Sequence, residues 1–150
     1  MSYLLDTNIL LRLVQKNSSI YADTRKAVLT LHNQQENLYI IPQNLFEFWA
    51  VATRPVDVNG LGLKVDEAKR EMAILKQLFT LKPNTSEIVE IWESLVINYQ
   101  VIGKQTHDSR LVAAMMVHGI EYLLTFNTKD FHRFSEITAI SPLNDKIDNC

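Results

Sequence analysis

Short unbroken apolar runs alternate along this chain with longer stretches in which apolar residues recur every three or four positions. The unbroken runs are SYLL at 2–5, LYIIP at 38–42, YLLTF at 122–126 and ITAIS at 137–141. Runs of this length suit strands covered on both faces. The periodic stretches predict helices over 6–14, 20–33, 43–53, 67–78, 86–99 and 106–118, the last closed by Gly119. Asp66 stands where a cap for the helix at 67 belongs. RPVDVNGLGL (54–63) reads as a loop by its Pro and Gly, and LKPNTSE closes a short strand-like piece before the helix at 86. Strands alternating with helices predict an α/β fold with a mostly parallel central sheet. No repeat or low-complexity linker interrupts the pattern, so residues 1–150 read as one domain.

Composition narrows the function classes. Hydrophobic residues at 47% and charged residues at 21% describe an ordinary globular chain. No apolar run approaches the roughly 20 residues of a membrane span. No basic segment precedes the first apolar run, so no signal peptide is expected. The lone cysteine, Cys150, excludes an internal disulfide framework and a cysteine-rich zinc site, and a reducing, cytoplasmic setting is expected. The net charge of −2 is unlike that of a protein holding nucleic acid by bulk electrostatics. A nucleic-acid ligand would need a local basic patch or a bound metal.

In open α/β sheets, ligands sit outside the carboxyl ends of the strands. Asp6 follows the first strand, and Asn127 and Asp130 follow YLLTF. Asp6 with Thr7 and Asn8 also reads as an ordinary helix cap. On the helix 43–53, at about 100° per residue, Leu45, Phe48, Trp49 and Ala52 form one stripe. Glu47 lies nearly opposite, flanked by Phe46, Ala50 and Val51, and is the only charge from Gln43 to Thr53. A helix apolar nearly all round is expected to be buried, and a buried carboxylate needs a partner or a metal. An exposed Glu47, or one paired with Arg54, is the other reading. Asp108 aligns with Leu111, Val112 and Met115 and so heads the core-facing stripe of its helix, where the helix dipole alone also favours an acid. Asn127 and Asp130 suit a plain turn equally well.

Gathered at one rim, these carboxylates repel each other unless a cation neutralises them, and Mg²⁺ or Mn²⁺ is the hard, oxygen-seeking choice. Such ions activate water and stabilise charge on a phosphodiester. Arg12, Arg54, Lys104, Arg110 and Lys129 are candidates to steer phosphates, or are solvated surface charges. His107 is either a helper beside Asp108 or an ordinary histidine. Glycine-rich phosphate loops, G-x-S-x-G elbows and zinc spacings among the four histidines are absent.

LLDTNIL (4–10), QNLFEFWAVATRP (43–55) with NGLGL (59–63), and HDSRLVAAMMVHGIEYLLTFNTKDF (107–131) together resemble the PIN-domain family, and within it the VapC-type toxin ribonucleases. The resemblance spans nearly the whole chain in order. It implies a three-layer α/β/α sandwich, divalent-metal-dependent cleavage of RNA, frequent homodimers, and in toxin members a small antitoxin partner. Asp6, Glu47 and Asp108 match the family's metal-binding acids. At the fourth position Asn127 stands where many members carry Asp, and Asp130 either substitutes or stabilises the turn. Thr7 or Asn8 is expected to assist by hydrogen bond, and the helix 67–78 reads either as a plain amphipathic surface helix or as a surface that pairs subunits. Two other readings stay open: a PIN-like RNA- or protein-binding module without activity, and a phosphotransfer domain using Asp6, whose further acids are not visible.

Overall fold

In a computed structural model, described for residues 1–143, five parallel strands form one sheet. The strands are β1 (Ser2–Leu5), β2 (Asn37–Ile40), β3 (Thr80–Leu81), β4 (Tyr122–Leu124) and β5 (Thr138–Ile140), in the order β3-β2-β1-β4-β5. The helices are α1 (Thr7–Val14), α2 (Tyr21–Asn33), α3 (Pro42–Thr53), α4 (Val65–Leu78), α5 (Ser86–Asn98) and α6 (Gln105–His118). Cys150 lies outside the described residues.

Successive side chains of β1 point to opposite faces, and both faces are covered. Tyr3 and Leu5 join a core with Ile9 and Leu10 of α1, Leu31 of α2, Phe48 of α3 and Leu75 of α4. Leu4 joins the other core, with Ile88 and Leu95 of α5 and Leu111, Val112 and Met115 of α6. The fold is therefore the three-layer α/β/α sandwich expected from the sequence, and its described strand pairings are all parallel.

Several boundaries differ from the sequence reading, each for a local reason. Pro42 does not end a strand but opens α3, where its missing N–H costs nothing. Asp66 is not a cap. Helix α4 begins at Val65 because the Glu67 carboxylate accepts from the backbone N–H of Lys64 at 3.0 Å, leaving Asp66 in the first turn. Strand β4 stops at Leu124, so Thr125 and Phe126 lie past its end. Helix α3 is not buried all round, since Phe46 is 67% exposed. Helix α4 buries Ala68 and Leu75 and leaves Val65, Ile74 and Leu78 exposed.

From β1 the chain crosses to β2 and β3 on one side, then to β4 and β5 on the other. The topological switch point thus lies between β1 and β4, at the carboxyl ends of two neighbouring strands. That crevice positions the site.

A candidate metal centre at the switch point

Asp6 leaves β1 and caps α1. Its backbone N–H donates to the Leu124 carbonyl at 2.9 Å, extending the β1–β4 pairing by one step. One carboxylate oxygen accepts from the Thr7 N–H at 2.7 Å, and the other from the Thr125 hydroxyl at 2.7 Å. Asp6 is buried and Thr125 fully so. The cap reading and the site reading therefore hold for the same side chain, because one oxygen caps while the other is fixed from β4.

The neighbouring elements are tied to this junction by amides. Asn44, fully buried on α3, accepts from the Ile41 N–H at 2.8 Å and reaches the Thr7 hydroxyl at 3.3 Å. Gln43, the residue before it, donates to the His107 carbonyl at 3.0 Å and accepts from Arg110 at 2.8 Å. Gln43 thus brackets Asp108 and joins the first turns of α3 and α6. Glu47 stands one helical turn after Gln43 on the same side of α3. Its Oε1 is buried and has no hydrogen-bond partner. Arg54 does not pair with Glu47, for its guanidinium donates to the Asn59 carbonyl at 3.2 Å.

Electrostatics show which acids share a field. Burial is the main cause raising the Asp6 carboxyl above its ordinary value, opposed by the bonds from Thr125 and Thr7 and reinforced by the charges of Glu47 and Asp130. Asp108 is pushed up to about 6, by burial first and then by Asp6, Asp130 and Glu47, with Lys104 pulling the other way. The charges of Glu47 and Asp130 therefore reach both Asp6 and Asp108 and disfavour the ionisation of these two. Asp130 belongs to this field, following Asn127 on a short 3₁₀ turn at Thr128–Phe131. Asn127 is exposed and its N–H donates to the Thr125 hydroxyl at 3.0 Å.

Among the described residues, no three acidic or imidazole groups form a ready-made chelate. The residues nevertheless fit a divalent cation. Glu47 Oε1 is an orphaned buried carboxylate oxygen facing an excess of negative charge, and all the donors are hard oxygens. A hard dication that keeps part of its water shell tolerates such a spread donor set. His107 is exposed and contributes its carbonyl, and Arg110 is engaged by Gln43 and Asn84 rather than free for phosphate.

Sequence reasoning missed Thr125, Gln43 and Asn44. Thr125 sits inside an apolar run and is brought beside Asp6 only by the register that pairs Leu5 with Leu124. The two amides could have been suspected as polar side chains at the entry of an otherwise apolar helix.

The PIN domain family model matches residues 3–137, and the chain belongs to that family. Similar folds occur in VapBC-1 from nontypeable Haemophilus influenzae (17% identity, 96% of this chain and 100% of that one, TM-score 0.72). VapC20 of Mycobacterium tuberculosis, described as a Sarcin-Ricin loop cleaving toxin, is similar over 89% of this chain and 95% of its own (17% identity, TM-score 0.65). A toxin–antitoxin complex from Klebsiella pneumoniae is similar over 94% and 98% (22% identity, TM-score 0.60). No curated protein is a significant match to the sequence.

Proposed function

We propose that this PIN-domain protein is a divalent-metal-dependent endoribonuclease and the toxin of a toxin–antitoxin pair. The observation that carries the reading is the orphaned, buried Oε1 of Glu47 in the common field of Asp6, Asp108 and Asp130. An acidic field strong enough to raise the Asp6 and Asp108 carboxyls is equally arranged to receive a dication. Asp6, Glu47 and Asp108 would hold Mg²⁺ or Mn²⁺, with Asp130 as the fourth carboxylate. Such an ion, when bound, lowers the pKa of water and neutralises charge developing on a phosphodiester.

The chain's own residues orient that chemistry. Thr7 and Thr125 each hold one oxygen of Asp6 and so fix the orientation of its carboxylate. Gln43 holds the turn carrying Asp108 against the helix carrying Glu47. RNA as substrate is supported by VapC20, and a small antitoxin partner by the VapBC complexes of similar fold.

The test is cleavage of RNA in Mn²⁺ or Mg²⁺ against EDTA. The wild type should cut only with metal. Asp6→Asn, which keeps the cap, should lose at least about 100-fold of the rate, the several kcal/mol that metal stabilisation supplies. Full activity in that variant would falsify the assignment. RNA binding without metal-dependent cleavage would favour the inactive-module reading instead.

A further inference from the structure

Beside the acidic rim opens a cleft of ≈660 Å³ between α1, the end of α3 and the loop that follows it. Three of its lining residues, Asn8, Val51 and Asn127, tie it to the elements that carry the acidic rim. Asn8 lies two residues past Asp6 and reaches the Thr125 hydroxyl at 3.4 Å. Val51 lies one helical turn past Glu47, and Asn127 follows Thr125. Its far wall is the loop 54–63, which is folded tightly onto α3: the N–H groups of Leu61, Gly62 and Leu63 donate to the carbonyls of Val51, Arg54 and Ala52 at 2.8–3.0 Å. Gly60 makes this possible, since a Cβ there would stand 1.8 Å from the Arg54 carbonyl oxygen.

Two guanidiniums, Arg12 and Arg54, line this cleft. Neither forms an ion pair among the described residues. Arg12 is held by Gln15 and Arg54 by the Asn59 carbonyl, both neutral acceptors. In a chain of net charge −2, the cleft thus brings two guanidiniums together with no carboxylate in ion-pair contact with either among the described residues. Their forks suit the oxygens of a phosphate, and the same cleft is lined by the apolar side chains of Leu11, Val51 and the half-buried Phe126.

We infer that this cleft binds the nucleotide next to the cleaved bond of a single-stranded RNA, Arg12 and Arg54 holding its phosphates and the apolar side chains its unpaired base. This deepens the nuclease reading and rests on it for the position of the cleaved bond. An unpaired base exposes an apolar face that a duplex hides, so the cleft selects single strands. The arginines also answer the charge problem posed by the sequence, because the rim alone repels RNA.

The test is fluorescence anisotropy with a labelled single-stranded RNA of about 12 nucleotides, in EDTA so that nothing is cut. Arg12→Gln, Arg54→Gln and the double variant are compared with wild type over a range of salt. Mn²⁺ calorimetry and thermal melts on the same proteins report the metal site and the fold. Each single variant should weaken RNA binding by about tenfold. Each should also flatten the dependence of log K on log salt by about 0.7, with the Mn²⁺ isotherm unchanged. The same sequence as a duplex should compete poorly. RNA affinity and salt slope equal to wild type in the double variant overturn the proposal and leave the cleft to a protein ligand. So does failure of the wild type to bind the single strand, and equal competition by the duplex removes the base pocket. Arginine-dependent binding in a protein that neither takes Mn²⁺ nor cuts RNA would keep the cleft and sink the nuclease.

Discussion

At the scale of single residues, the account turns on how Asp6 is held. A carboxylate in a flexible side chain would move away from three like charges, whereas Asp6 is fixed by one backbone and one hydroxyl donor. Thr125→Val removes the hydroxyl and nearly preserves the volume. A lost hydrogen bond to a charged group costs about 1.5–3 kcal/mol, and the variant should melt lower by about 2–4 °C per kcal/mol. Its Mn²⁺ affinity should fall by about 10–100-fold, while Thr125→Ser retains both properties. Equal Mn²⁺ affinity in Thr125→Val would show that Asp6 needs no second anchor. Asp6 and Glu47 stood out in the sequence because each interrupts an apolar stretch, and Asp108 because it heads the core-facing stripe of its helix. Thr125 was not, because a Thr within a strand-like run is ordinary until strand register places it beside an acid.

Between elements, the relevant quantity is the placement of α3 against α6, set by Gln43. Gln43→Ala leaves the His107 carbonyl and the Arg110 guanidinium without this partner, and should destabilise by about 1–3 kcal/mol. Asp108 then loses its fixed place relative to Glu47, so Mn²⁺ binding weakens as well. Retention of the wild-type isotherm at a lowered melting temperature would mean that Gln43 serves stability alone. Gly60→Ala acts on the opposite end of α3. Backbone sits where its Cβ must go, so the loop 54–63 must shift, and RNA affinity should drop more than Mn²⁺ affinity. The order and type of the elements followed from apolar periodicity. Their ends did not, since Pro42 opens α3 by lacking an N–H and Lys64 is capped by the Glu67 side chain, neither of which the apolar pattern records.

For the whole molecule, the acidic rim is a cost that the metal-free protein carries. Asp108 holds its proton more tightly folded, up to about 6, than at its ordinary 3.8. Folding is therefore favoured wherever it is protonated: this contribution is full below 3.8 and is lost as pH rises through about 6. Metal-free Asp108→Asn should accordingly melt above wild type at pH 7, and the gap should close toward pH 4. A gap that stays constant across that range would exclude the titration as its cause. The layered fold and the rim at the strand ends could be read from the sequence. The switch point could not, because it depends on the strand order that puts β4 rather than β2 or β3 beside the Asp6 carboxylate.

The most direct measurement is calorimetric Mn²⁺ titration of wild type beside Asp6→Asn and Asp108→Asn near pH 7.5, with thermal melts of all three. Wild type should bind saturably and melt higher with metal, and the variants should fold, melt no lower without metal, and bind at least about tenfold more weakly. A wild type that takes up no Mn²⁺, or variants that bind it as well as wild type does, would contradict it.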